Sequence, residues 1–187
     1  MKSVMIDLET LGTGPDACVL SIGICAFNGT GVLDSQGWAI HPSDWHGLIQ
    51  PDTIKWWMKQ GEAAQAFSFE GNRTAQQVAQ ELSTWSKLNG GGDGDDEVWA
   101  NDPDFDIVIL RRWWERIIAK GNANIGRFPF HYRTMRSCRT IYAEARRLGI
   151  SYDGWALNHV AHNPIDDACS QARAVLHIRN HIVAAGP

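Results

Sequence analysis

The pattern that most constrains the fold of this 187-residue chain is a run of three predicted β-strands within its first forty residues. Residues 3–7 (S-V-M-I-D) have the composition of a short strand, and the turn-forming string G-T-G-P follows. Residues 18–27 are rich in strand-forming side chains, residues 28–31 form a turn signal, and residues 32–40 can return as a third strand. We therefore expect the chain to begin as an antiparallel three-strand meander.

After this meander, helical periodicity alternates with single strands. The spacing of Val78, Leu82 and Trp85 predicts a helix at 74–88, and Pro164 stands at the start of a long amphipathic segment. The predicted helices cover 52–60, 74–88, a segment from about 105, 139–148 and 164–183, and the predicted single strands cover 98–100 and 128–132. This order predicts an α/β fold with helices flanking a central sheet. Because there is no internal repeat and no second core, residues 1–187 are expected to form one domain.

The overall charge argues against a protein that binds nucleic acid through a generally basic surface. Seventeen Lys and Arg stand against twenty-one Asp and Glu, which gives a formal net charge of −4. No apolar run reaches the roughly 18 residues that span a bilayer, and the sequence opens without a cleavable leader pattern, so we expect a cytoplasmic protein with no membrane partner. The four cysteines contain no C-x-x-C pair, which favours reduced, mostly buried thiols over a structural zinc site.

Acidic residues from three separate segments form the candidate site. Asp7 and Glu9 are two residues apart at the end of the first predicted strand, so their side chains share a face. Asp106 opens a predicted helix, and His162 lies five residues before Asp167 near the start of the last helix. If the four carboxylates converge, their oxygens suit hard divalent ions such as Mg²⁺ or Mn²⁺, and a pair of such ions can promote phosphodiester displacement. The alternative is a pair of solvated acids at a strand end.

The ordered set D-L-E-T, F-D and H-x-x-x-x-D resembles the DEDDh 3′-5′ exonucleases of the DnaQ-like, RNase H-like superfamily. The strings I-K-W-W-M-K-Q, D-F-D-I-V-I-L and H-N-P-I-D-D-A-C-S-Q-A are most similar to the phage exonuclease A subgroup and its bacterial exoribonuclease relatives. The resemblance spans nearly the whole chain. It implies an RNase H-like fold with a central mixed sheet, and a 3′-to-5′ exonuclease that uses two divalent metal ions, Mg²⁺ or Mn²⁺.

The resemblance also assigns roles to the acidic residues. It implies that Asp7 bridges both metals, that Glu9 binds one metal and contacts the terminal 3′ hydroxyl, and that Asp106 is the third acid. Asp167 corresponds to the fourth acid because the family places four residues between the histidine and this aspartate. Its neighbour Asp166 is then a helix N-terminal charge.

The same resemblance makes His162 the general base that takes a proton from the attacking water. His159 is an alternative three residues earlier, but it breaks the family spacing. A structural histidine is the better interpretation of His159.

For the substrate, the resemblance implies single-stranded nucleic acid 3′ ends, with DNA slightly favoured over RNA, and release of nucleoside 5′-monophosphates. Thr10 and Leu11 are candidates for the side chain that wedges against the terminal base, and Leu8 for backbone contacts. Phe105 and Trp57 can supply a stacking surface, although core packing is the better interpretation of each. A homodimer is a further expectation from related enzymes.

Basic residues concentrate between positions 111 and 147, where ten Lys and Arg stand against Glu115 and Glu144. These residues are either solvated helix faces with local pairs, such as Arg111 with Glu115, or a surface that follows phosphates beside the cleft. Two other functions stay open from the sequence. One is an RNase H-like endonuclease, and the other is a nucleic-acid-binding module with a degenerate site.

Overall fold

A five-stranded mixed sheet forms the centre of the computed structural model, which describes residues 2–90, 96–121, 123–152 and 160–185. The sheet order is β3-β2-β1-β4-β5. β1 and β2 pair antiparallel, as do β2 and β3, whereas β4 and β5 run parallel to β1. This confirms the predicted α/β class, the mixed sheet and the N-terminal meander. The strands are β1 (Ser3–Thr10), β2 (Val19–Asn28), β3 (Gly31–Ala39), β4 (Glu97–Ala100) and β5 (Met135–Ser137).

Helices cover both faces of the sheet. The described residues form α1 (Pro51–Trp57), α2 (Glu62–Phe69), α3 (Ala75–Asn89), α4 (Asp106–Ala119), α5 (Cys138–Arg147) and α6 (Pro164–Ala185). Three short 3₁₀ turns lie at Pro42–Asp44, Ala123–Ile125 and Tyr132–Thr134. No helix of the described residues is long and apolar enough to cross a membrane.

Strand alternation in β1 divides the core into two layers. Val4 and Ile6 belong to the larger cluster, which α3 and α4 supply with residues such as Leu82 and Trp113. Met5 points to the opposite layer, where it belongs to a cluster with α5 and α6. Both faces of β1 are therefore packed just before the positions of Asp7 and Glu9 near its carboxyl end.

Two glycines let α6 approach the sheet closely. Gly23 on β2 stands opposite Asp7 in the strand register, and Gly37 on β3 stands opposite Gly23. A Cβ atom at Gly23 would collide with the backbone of Pro164, and one at Gly37 would collide with the Ile165 side chain. The first turn of α6 therefore packs directly on bare backbone, next to the acidic end of β1.

The prediction of a strand at residues 128–132 is wrong. This segment is irregular chain that leads into the 3₁₀ turn Tyr132–Thr134, and the edge strand is β5. Pro129 has no N–H to give to a strand ladder. Phe128 instead packs edge-on against Trp114 and Phe130, at centroid distances of 5.9 Å and 5.5 Å.

The remaining differences concern helices and strand ends. α2 has no counterpart among the predicted helices, and β1 continues to Thr10, three residues beyond the predicted end. The four cysteines are free and buried, as predicted. His159 and the acidic loop at 91–95 lie outside the described residues.

Candidate active site

The carboxyl end of β1 places two acids beside the first turn of α4. β4 ends at Ala100, which pairs with Ile6, so β1 continues past its parallel neighbour. The carboxylate of Asp106 takes the place of that neighbour, since its Oδ1 accepts the Leu8 N–H at 3.2 Å. Its Oδ2 accepts the Asp102 N–H at 3.4 Å. These two hydrogen bonds hold the Asp106 carboxylate beside the end of β1 that carries Asp7 and Glu9.

The turn before α6 brings in the histidine and the last acid. His162 has a left-handed backbone (φ 64°), which non-glycine residues rarely adopt. Its N–H donates to Asp167 Oδ2 at 2.9 Å, and the Asn163 side chain accepts the Ile165 N–H at 3.1 Å. The Asp166 carboxylate instead accepts the Val160 N–H at 3.0 Å. The two adjacent aspartates therefore have different partners, and Asp167 is the one that lines the cleft.

The predicted acids and the histidine come together in one place. His162 Nδ1 lies 3.8 Å from Glu9 Oε1, and potential ligand atoms of Glu9, His162 and Asp167 lie within 4.8 Å of one another. Asp7 and Asp106 line the same cleft. The Gln171 amide donates to Asp7 Oδ1 at 2.8 Å. Five residues from three distant segments thus share one concave surface.

Burial, and after it the charges of neighbouring acids, raises the pKa values of three of these carboxylates. Burial, and after it the charges of Asp106, Glu9 and Asp167, raise the pKa of Asp7 well above its usual value. Burial and the charges of Asp167 and Asp106 raise the pKa of Glu9 to about 9. Burial also raises the pKa of Asp106 to about 7, against the backbone hydrogen bonds that stabilise its charged form. A divalent cation among these oxygens would offset this unfavourable charge.

The tryptophan pair of α1 divides between core and cleft. Trp57 is 2% exposed, and its indole N–H donates to the Thr10 carbonyl at 2.9 Å. It is therefore a core residue and not a stacking surface. Trp56 is 39% exposed, lines the cleft, and meets the His162 ring edge-on at a centroid distance of 4.6 Å.

The cleft has a volume of about 1070 Å³ and includes most of the predicted substrate residues. Leu8, Thr10 and the half-buried Phe105 line it. The Thr10 hydroxyl donates to the Gly12 carbonyl at 2.6 Å, so it orders the turn at the cleft wall. Leu11 does not line the cleft, because its side chain is 4% exposed and packs in a core cluster with Trp57. Thr10 is almost as buried, at 5% exposed, but it lines the cleft, so it stays a candidate for the substrate contact.

Several cleft residues have no individual role predicted from the sequence, and three of them are Gln171, Arg139 and Trp56. Gln171 follows Asp167 by four residues on α6, so helical spacing alone places both on one face. Arg139 lines the cleft and pairs with Asp102 at 3.0 Å. Trp56 was recognised only as part of a motif, since no sequence pattern shows which tryptophan of a pair faces solvent.

Comparisons with known proteins agree with this architecture. A family model described as the 3′-5′ exoribonuclease Rv2179c-like domain matches residues 2–179. No curated protein sequence matches the chain. Among solved structures, the zinc-bound E. coli exonuclease I complex with single-stranded DNA is similar with a TM-score of 0.64 at 13% identity, over 100% of this chain and 41% of that one.

Two further solved structures share the fold. Exonuclease I from Methylocaldum szegediense has a TM-score of 0.66 at 12% identity, over 96% of this chain and 40% of its own. The nuclease domain of 3′hExo, a DEDDh family member bound to rAMP, has a TM-score of 0.58 at 16% identity, over 99% of this chain and 92% of its own. The chain thus spans about two fifths of the exonuclease I structures, and these likenesses establish the RNase H-like fold.

Proposed function

The chain belongs to the Rv2179c-like 3′-5′ exoribonuclease domain family, and from this premise we propose that it is a metal-dependent 3′-to-5′ exonuclease. In this proposal it hydrolyses the terminal phosphodiester of single-stranded nucleic acid and releases nucleoside 5′-monophosphates. The observation that carries the proposal is the convergence of Asp7, Glu9, Asp106, Asp167 and His162 in one cleft. We take residues 1–187 as one exonuclease domain. Membership of the phage exonuclease A subgroup and a homodimer stay predictions.

The residues present fit divalent metal ions. Four carboxylates repel one another in the cleft, and their oxygens form the donor set that Mg²⁺ and Mn²⁺ prefer. Asp7, Glu9, Asp106 and Asp167 would hold the ions, two in this proposal. When bound, the ions stabilise the negative charge that develops on the attacking and leaving oxygens.

His162 is proposed as the general base. Its ring is partly exposed in the cleft and lies beside Glu9, where a water molecule can approach it from solvent. The imidazole takes one proton from that water while the oxygen attacks the terminal phosphorus. The bond from phosphorus to the departing 3′ oxygen breaks, and this oxygen takes up a proton from solvent to become the new 3′ hydroxyl. The Asp167 carboxylate holds the turn that carries this ring, through the His162 N–H.

The cleft wall positions the last nucleotide in this proposal. Leu8, Thr10 and the half-buried Phe105 line the cleft together with the acids, and the Phe105 ring is proposed as a surface for a base. The resemblance found in the sequence slightly favours DNA as the substrate, whereas the matching family is described as an exoribonuclease domain. Since the family model covers nearly the whole chain, we place RNA first and DNA second.

Matched single-stranded RNA and DNA, labelled at either end, test the function with Mg²⁺ and with Mn²⁺. We expect stepwise shortening from the 3′ end, no cleavage of a circular single strand, and loss of activity in Asp7→Ala and His162→Ala. Cleavage of the circle would show an endonuclease. Full activity in either variant would contradict the mechanism, and a wild-type protein that binds the strand without cleaving it would be a binding module.

A further inference from the structure

Half of the ten basic residues at 111–147 are neutralised by ion pairs among the described residues. Arg112 and Arg116 both bind Asp16, at 3.2 Å and 2.9 Å. The sequence offered a pair of Arg111 with Glu115, but in the structure Glu115 pairs with Arg112 instead, at 3.0 Å. Three more arginines pair with acids elsewhere, namely Arg136 with Glu97, Arg139 with Asp102 and Arg147 with Glu144.

Four arginines of this segment have no acidic partner among the described residues, and three of them, Arg111, Arg127 and Arg133, lie together, whereas Arg146 donates to the Tyr152 hydroxyl at 3.1 Å. Arg111 and Arg127 line a second pocket of about 310 Å³ between α4 and the irregular chain before β5. Arg133 lies beside this pocket, with its guanidinium 5.5 Å from the centre of the Tyr132 ring. Glu115 is the one carboxylate among the described lining residues, and Arg112 already neutralises it. The pocket, defined here as the α4 pocket, is therefore positively charged.

Aromatic rings form the floor and the rim of the α4 pocket. Trp114 and Phe130 are buried beneath it, and the Trp114 indole N–H donates to the Gly126 carbonyl at 3.1 Å. Phe128 lies under the guanidinium of Arg111, 5.1 Å from it. Tyr132 stands at the rim with 60% of its surface exposed. Arginines without acidic partners beside an exposed aromatic ring are a combination that binds single-stranded nucleic acid, through phosphates and base stacking.

The position of the pocket suits the upstream part of the same strand. Arg111 follows Asp106 by five residues on α4, which is a rise of about 7.5 Å and a rotation of about 140° around the helix axis. A strand that leaves the acidic cleft would therefore have to pass around α4 to reach the pocket. The cleft itself offers little attraction for phosphates without metal ions, because acids line it and the one arginine among its described lining residues, Arg139, is paired with Asp102. A basic site one or two turns along α4 would supply the attraction that the cleft lacks.

We propose that the α4 pocket is a second nucleic-acid site, which holds nucleotides upstream of the 3′ end that lies in the cleft. Arg111 and Arg127 bind phosphates, and Tyr132 stacks on a base. The proposal rests on the proposed exonuclease function.

The test compares long and short substrates. The variants are Arg127→Glu, Tyr132→Ala and the double change of Arg111 and Arg127 to Ala, and Arg147→Ala is the control because its guanidinium pairs with Glu144 at the surface. Hydrolysis of a 12-nucleotide oligouridylate and of a dinucleotide gives kcat/KM for each protein. Fluorescence anisotropy of the labelled 12-mer in Ca²⁺, together with its salt dependence, measures binding apart from turnover.

We expect the ratio of kcat/KM for the 12-mer to that for the dinucleotide to fall roughly tenfold in Tyr132→Ala and in the double variant. The salt slope of binding should shrink by about one for each lost phosphate contact, and Arg147→Ala should match the wild type. If the double variant unfolds, Arg127→Glu and Tyr132→Ala, which alter exposed side chains, decide the outcome.

Two results would overturn the proposal. One is an unchanged ratio with unchanged binding in all pocket variants. The other is a shift from dimer to monomer in sedimentation velocity with oligonucleotide affinity retained, which would make the pocket a contact between copies of the chain. A wild type that hydrolyses neither substrate would contradict the proposed exonuclease function, while the anisotropy comparison would still decide the role of the pocket.

Discussion

Asp166 and Asp167 are adjacent acids in the first turn of α6, but they differ in position and in hydrogen-bond partner. Asp167 lines the cleft and binds the His162 N–H, whereas Asp166 accepts the Val160 N–H outside it. We expect Asp167→Asn to lower kcat at least about a hundredfold, since metal ions supply several kcal/mol of transition-state stabilisation. Asp166→Asn should cost about threefold or less, because only one exposed hydrogen bond weakens. Steady-state kinetics and Mn²⁺ titration by calorimetry measure both, and equal losses would contradict the assignment.

Trp56 is predicted to position the His162 ring. The indole edge lies against the imidazole, which sits on a left-handed backbone that its own side chain does not favour. Trp56→Ala should lower kcat about tenfold with a smaller change in KM, because a misplaced base slows chemistry more than binding. Trp56→Phe, which keeps a ring against His162, should recover most of the rate. A change confined to KM would instead show that Trp56 only contacts substrate.

At the residue scale, strand alternation places Asp7 and Glu9 on the face that lines the cleft, but it misplaces Leu11. Asp7 and Glu9 were expected on one face of a strand, and both line the cleft. Continued alternation would have placed Leu11 with them. The strand register shifts between Glu9 and Thr10, so Leu11 turns into the core instead. A register shift depends on the partner strand, which a single sequence does not reveal.

At the scale of elements, the packing of α6 on β2 depends on Gly23. Any side chain there meets the Pro164 carbonyl, and Pro164 begins the helix that carries Asp167. We expect Gly23→Ala to lower the free energy of unfolding by about 1–3 kcal/mol, the usual cost of overpacking, and to impair activity by displacing α6. Gly29→Ala is the matched control, because a Cβ there meets nothing within 4 Å. Urea unfolding compares the two, and equal stability would show that α6 adjusts freely.

A helix could be predicted from the sequence where it buries large apolar residues at helical spacing. α3 and α4 bury large residues such as Leu82 and Trp113 at regular helical spacing, so periodicity finds them. α2 buries only Ala64 and Ser68 among its described side chains, and these small residues leave almost no apolar pattern. The packing of α6 on β2 could not be predicted either, because a glycine in a strand does not show which element packs against it.

For the whole molecule, the crowded acids make stability depend on metal ions. Asp7 is held against three other acids, so in EDTA its replacement by Asn should relieve repulsion and raise the free energy of unfolding by about 0.5–2 kcal/mol. With Mn²⁺ the order should reverse, because the wild type gains binding free energy that the variant lacks. Thermal unfolding of both proteins, with and without Mn²⁺, tests this crossing. A wild type that Mn²⁺ does not stabilise would contradict a metal site at these acids.

Acid stability should depend on Glu97, which ties the sheet to the last helix. Its carboxylate binds Arg179 of α6 at 2.7 Å and Arg136 of β5 at 3.2 Å. Burial alone would raise the pKa of Glu97, but the charge of Arg179, its hydrogen bond and the further partners outweigh burial and hold the pKa below its usual value of 4.5. A lowered pKa in the folded state means that the charged carboxylate stabilises the fold above about pH 4.5 and that this stabilisation is lost as the pH falls through the folded value.

We therefore expect Glu97→Gln to lower the free energy of unfolding at pH 7, by about 1 kcal/mol because both arginines are partly exposed to solvent. The difference from the wild type should persist at pH 5 and shrink below about pH 4, since the wild-type carboxylate then becomes protonated as well. Glu144→Gln is the control, because its pair with Arg147 is exposed and should contribute little at any pH. Urea unfolding of the three proteins at pH 7, 5 and 3.5 measures these differences. If the loss at Glu97 were the same at all three pH values, it would come from packing, and the sheet and α6 would not be joined by charge.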